Sequence, residues 1–137
     1  MTRVELVDHD AKGFYESQGW GPSFIVPTHS RFDEPEEGSR VPASAATLRG
    51  IAFAGARGVR AVEVSVDAGR TWRGARIDYP GTTLTWALWS YDWRPGPGNY
   101  EALVRATDGE GTPQTATERG TIPEGSTGYH RIRFTVV

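Results

Sequence analysis

Residues 59–72, VRAVEVSVDAGRTW, read as a β-hairpin. Val62, Val64 and Val66 alternate with Ala61, Glu63, Ser65 and Asp67, so one face is apolar and the other mostly polar. Asp67-Ala68-Gly69 supplies the turn, where Gly69 is free to adopt a positive φ. The chain then returns through Arg70, Thr71 and Trp72, and residues 73–78 extend the return strand. Such a pair needs a second apolar layer over its buried face.

Working outward, the same alternation recurs. In residues 99–107, Tyr100, Ala102, Val104 and Ala106 point inward, and Glu101, Leu103, Arg105 and Thr107 outward. In residues 128–136, His130, Ile132, Phe134 and Val136 share one face, and Tyr129, Arg131, Arg133 and Thr135 the other. Residues 47–54 and 82–92 read as further strands. In the latter, Leu84, Trp86 and Leu88 have one parity and Trp89, Tyr91 and Trp93 the other. Both faces are then covered, as suits a central strand with one side turned toward a partner. Residues 22–31 make a first strand with Pro27 at an edge or bulge, and residues 32–46 a solvated connection. The 20 residues 108–127 form a long loop rich in Gly, Pro and Thr. About seven strands result. The pattern predicts an all-β, immunoglobulin-like Greek-key β-sandwich, with a barrel as the alternative.

The totals agree with one core. A chain of 137 residues with 17 Gly, 9 Pro and 5 Trp suits short elements, tight turns and large aromatic anchors. A net charge of −2 without basic runs argues against an electrostatic grip on nucleic acid. No apolar run is long enough for a membrane span, and the compartment stays open between periplasmic, membrane-associated and cytoplasmic. Cysteine is absent, which excludes disulfides and thiolate chemistry. His9, His29 and His130 lie far apart with no metal-ligand spacing, and Asp33, Glu34, Glu36 and Glu37 do not follow a calcium-loop pattern. No phosphate loop or nucleophile elbow appears. The expectation is no metal site. Arg105, Arg131 and Arg133 read either as a solvated, ion-paired face or as a patch for anions or a partner. Phe14, Tyr15 and Trp20 pack an N-terminal arm against the body or against a partner.

Taken together, these stretches resemble the C-terminal dimerisation domain of the sulfite oxidase family of molybdopterin-dependent oxidoreductases. The resemblance is carried by GFYESQGWG, THSRFDEP, VEVSVDAGRTW, the spacing of Trp86, Trp89 and Trp93, Tyr100 followed by VRATDGEGTPQ, and the closing GYHRIRFTV. It implies an assembly and dimerisation domain over residues 22–137, and an arm or linker from a preceding catalytic domain over residues 1–21. It implies no cofactor in this chain, the molybdenum–molybdopterin belonging to the catalytic domain of the same polypeptide. The chain alone is then not an enzyme, while its full-length parent is one, as a homodimer. Arg131 matches the family's arginine that faces the substrate oxyanion. Trp20, Trp72, Trp86, Trp89, Trp93, Tyr100, Tyr129 and His130 match interface or core anchors. Gly128 stands where sulfite oxidases carry asparagine. The alternative function is a free-standing β-sandwich module that binds a protein or ligand.

Overall fold

The structure is a computed structural model and describes residues 2–21, 23 and 25–137. Its strands are β1 (His29–Glu34), β2 (Arg40–Val41), β3 (Leu48–Phe53), β4 (Val59–Ser65), β5 (Arg73–Gly74), β6 (Arg76–Tyr79), β7 (Ala87–Tyr91), β8 (Gly98–Asp108) and β9 (His130–Val136). One short helix, α1 (Phe14–Ser17), lies in the N-terminal arm. The strands form two sheets. The first runs β1-β3-β7-β6 and is antiparallel throughout. The second runs β2-β9-β8-β4-β5 and is antiparallel except for the parallel pairing of β2 with β9.

One buried cluster draws on both sheets. Phe32, Leu48, Ala52 and Trp89 come from the first, and Val62, Val64, Ala102, Val104, Ala106, Ile132, Phe134 and Val136 from the second. The inward parities expected for β4, β8 and β9 hold, although Val66, Tyr100 and His130 are only partly buried, and Leu103, expected outward, is buried as well. Trp89 is the largest fully buried side chain, with its ring edge-on to Phe32 at 5.5 Å. Its Nε1–H donates to the Ile51 carbonyl at 3.1 Å, satisfying the one polar atom it carries inside. The indole needs the absence of a side chain opposite. Gly50 pairs with Trp89, and a Cβ there would stand 2.7 Å from Trp89 Cζ2 and 1.8 Å from the Arg31 carbonyl oxygen.

Four expectations change. The return strand is not one element. Only Arg73–Gly74 pairs with β4, while Arg76–Tyr79 joins β7 in the other sheet. Ala75, between them, donates its N–H to the Val62 carbonyl at 2.8 Å, and from there the chain crosses over. The expected strand over 82–92 shortens to Ala87–Tyr91 because threonines capture the backbone before it. The Thr82 hydroxyl accepts from the amides of Leu84 and Thr85 at 3.1 and 3.0 Å, and the Thr82 amide donates to Thr85 Oγ1 at 3.0 Å. Residues 32–46 are not merely a solvated connection. Phe32 belongs to the core, β2 adds to β9, and Ala46 is buried beneath a 3₁₀ turn over Ala43–Ala45. The first strand starts at His29 rather than at residue 22, and Pro22 and Phe24 lie outside the described residues. Among the described residues nine strands thus replace about seven, two of them only two residues long.

Candidate functional site

The polar outer face of the second sheet gathers Trp72, Arg105, Tyr129, Arg131 and Arg133, and the hairpin builds one end of it. Ser65 Oγ accepts from the Gly69 amide at 2.8 Å, and Asp67 accepts from the Thr71 amide and hydroxyl at 2.9 and 2.6 Å. The Thr71 hydroxyl and amide hold the Asp67 carboxyl down to about 2. Both Ala68 and Gly69 take positive φ at the tip. This clasp delivers Trp72 onto the sheet. The Arg105 guanidinium lies 4.0 Å over the Trp72 ring, a cation–π stack, and its Nε donates to Glu63 Oε1 at 3.0 Å from the directly paired position on β4. Trp72 is also edge-on to Tyr129 at 5.5 Å, so the hairpin loop is packed against the residue that opens the β9 segment.

Two residues further, the charge pattern changes. Arg131 Nη1 donates to Glu101 Oε1 at 2.8 Å, and Arg133 Nη2 donates to the same oxygen at 3.0 Å. The Arg131 guanidinium, with the charge of Arg133 added, holds the Glu101 carboxyl below the usual range. Two guanidiniums share one carboxylate, which leaves one net positive charge across the trio. The Arg131 side chain is half-exposed, so donors not used by Glu101 face water. Arg131 and Arg133 are therefore ion-paired through Glu101.

His130 points the other way, toward β1. Its Nδ1 accepts from the Phe32 amide at 2.9 Å, and the ring lies 5.7 Å from that of Phe32, so this residue latches the second sheet to the first. Burial, aided by the charge of Arg31, pushes the imidazole below its ordinary value of 6.5, against weaker opposing pulls from Glu37 and Asp33. The native state thus binds this proton less readily than the unfolded chain. Its contribution to stability is whole above pH 6.5 and declines as pH falls through that value toward the lowered one. Urea-unfolding midpoints taken between about pH 7 and about pH 5 are expected to fall, and His130→Gln to flatten that slope. An unchanged slope in the variant would remove His130 as its source. The lowered carboxylates Asp67, Asp78, Asp108 and Glu101 act in a separate window, below their ordinary values of 3.8 and 4.5.

Gln114 was missed at the sequence level, although it closes the quoted DGEGTPQ. It is buried, and its Oε1 accepts from Ser30 Oγ at 2.8 Å and from the Ala106 amide at 3.0 Å, while Nε2 donates to the Gly128 carbonyl at 2.8 Å. One side chain therefore ties β1 and β8 to the residue just before Tyr129. Asp108 is a second such residue, buried and bonded to Arg57 Nε at 3.0 Å and to the amides of Glu110 and Thr112. Beside them a polar groove of about 530 Å³ is lined in part by His29, Glu118, Arg119, Tyr129 and His130. Arg119 is spent there on the Gly125 carbonyl, at 3.2 and 3.0 Å.

The remaining singled residues fall elsewhere. Trp93 donates to the Ala46 carbonyl and sits 4.9 Å from Tyr100, whose hydroxyl donates to the Gly96 carbonyl at 2.8 Å. Trp20 is edge-on to Tyr15 in the arm at 6.5 Å. Trp86 is 52% exposed and so is no core anchor.

Residues 24–136 match the family model described as the Mo-co oxidoreductase dimerisation domain. The chain belongs to this family. Sulfite oxidase of Gallus gallus is 36% identical over 94 residues, covering 59% of this chain and 20% of its own length. Mitochondrial sulfite oxidase of Macaca fascicularis is 36% identical over 107 residues, covering 69% of this chain and 19% of its own. The dimerisation domain thus spans about a fifth of the curated relatives it matches. The crystal structure of the sulfane dehydrogenase SoxCD from Paracoccus pantotrophus shares the fold, with a TM-score of 0.58 at 23% identity over 66% of this chain and 24% of that one. The domain has no cysteine, and among the described residues no three His, Asp or Glu side chains gather to hold a metal ion. No helix among the described residues is long and apolar enough to cross a membrane.

Proposed function

We propose that this dimerisation domain is the non-catalytic assembly unit of a larger molybdopterin-dependent oxidoreductase of sulfite oxidase type. The match of residues 24–136 to the family model carries this reading. The catalytic domain, with its cofactor, belongs to the part of the parent outside this chain, and a second copy completes the assembly. Residues 1–21 are the arm from that preceding domain, and residues 22–137 the domain itself. We read the two sheets as an immunoglobulin-like Greek-key sandwich, supported by the shared core.

Arg131 contributes an anion-facing guanidinium to the catalytic domain's pocket in this reading. The support is its half-exposed side chain and the surplus positive charge it shares with Arg133 over Glu101. A fixed charge backed by a carboxylate is already oriented before the anion arrives. Its role is to bind and align a small oxyanion, sulfite being the first to try, and no proton or electron passes through it. The test is steady-state turnover of the full-length parent with sulfite and other small oxyanions. Arg131→Gln is expected to raise KM about tenfold or more, and Arg131→Lys to recover part of it. An unchanged KM for every oxyanion turned over would exclude the contact.

A further inference from the structure

We infer that Arg133 is a positioning residue for the anion-facing Arg131, supplying the positive charge that Glu101 would otherwise cancel. This rests on the reading of Arg131 above and names what sets its hold on an oxyanion. The period of two in β9 puts Arg131 and Arg133 on one outer face, and Glu101 of β8 pairs directly with Arg133. Glu101 Oε1 nevertheless accepts from both, from Arg131 Nη1 at 2.8 Å and from Arg133 Nη2 at 3.0 Å. Alone with Arg131, this carboxylate would do two opposed things. It would hold the planar guanidinium in one orientation, and it would cancel the charge that an anion seeks. The second guanidinium removes that conflict: Glu101 keeps its grip on Arg131 while Arg133 balances its charge.

The neighbouring charges make this balance matter. Arg105 on the same face is matched by Glu63 at 3.0 Å and adds no net charge. Asp67 bridges to the Glu101 backbone, and its carboxylate, bonded to Ser65 and Thr71, adds a negative charge beside the trio. Without Arg133, Arg131 would stand against both Glu101 and Asp67, and an arriving oxyanion would meet net negative charge. The two arginines also differ in surroundings. The Arg133 side chain is 68% exposed, so its charge acts partly through water and is screened by salt. Its backbone is held independently, the amide donating to Glu37 Oε2 at 2.7 Å and the carbonyl accepting from Gly38 at 2.7 Å. Replacing the side chain therefore leaves the strand in place. What position 133 needs is a cation, whereas position 131 needs the fork.

Steady-state kinetics of the full-length parent, with sulfite as the first probe and other small oxyanions after it, tests this. At low ionic strength Arg133→Gln is expected to raise KM about fivefold with kcat within about twofold, and Arg133→Lys to restore the parent's KM. Salt at about 0.5 M is expected to narrow the difference to less than about twofold. In the 137-residue chain, carbon NMR of the Glu101 carboxyl is expected to show it still titrating below its ordinary value in Arg133→Gln, because Arg131 keeps hold of it. A KM unchanged in Arg133→Gln while Arg131→Gln raises it overturns the role of Arg133 and leaves that of Arg131 standing. A loss that lysine does not rescue or that salt does not narrow, or a Glu101 carboxyl returned to its ordinary value, also overturns it. A KM unchanged in Arg131→Gln, or a parent that turns over no oxyanion, overturns both.

Discussion

Trp89→Ala is expected to lower the unfolding free energy by about 4 kcal/mol, and Trp86→Ala by less than about 1 kcal/mol. The two residues are three positions apart, and the sequence gives them equal standing as anchors. The structure separates them by phase. Trp89 faces inward opposite Gly50, is 1% exposed, touches Phe32 edge-on and donates to the Ile51 carbonyl. Its truncation leaves a void with rigid strand backbone around it, and a buried carbonyl without a partner. Trp86 precedes β7 and stands half in water, so its loss opens no cavity. Urea titration at 25 °C followed by circular dichroism measures both. Equal costs for the two variants would refute the assignment of faces.

Gln114→Ala is expected to cost about 3 kcal/mol. The amide serves three partners at once: the Ser30 hydroxyl, the Ala106 N–H and the Gly128 carbonyl. Removing it strands each in a place where Gln114 itself is 4% exposed. The loss is therefore set by the groups left behind rather than by one bond. Hydrogen exchange at the Ala106 amide is expected to accelerate beyond what the lower global stability accounts for. A cost below about 1 kcal/mol, with unchanged exchange at Ala106, would mean that water replaces the side chain without penalty.

The reach of sequence reasoning follows the range of the interactions. Alternation in β4, β8 and β9 could be read because a strand with one apolar face writes its own period of two. The break of the return strand at Ala75 could not, since it depends on which sheet claims Arg76–Tyr79. Residues 82–86 continue an apolar parity, but short-range threonine bonds take the backbone out of the ladder. Among the site residues, the outward parity of Arg131 and Arg133 was legible, and their common partner Glu101 was not. Gln114 left no signal, for a glutamine in a Gly- and Pro-rich loop looks solvated until the topology brings β1 and β8 around it.

With Ala75 alone between β5 and β6, the chain has no slack where it passes from one sheet to the other. Turning one sheet against its neighbour would strain that single link and pull its amide away from Val62. Sliding of the sheets past each other is therefore resisted at this link. That one residue is where the face carrying Arg131 and the face carrying Trp86 are joined by the shortest run of backbone.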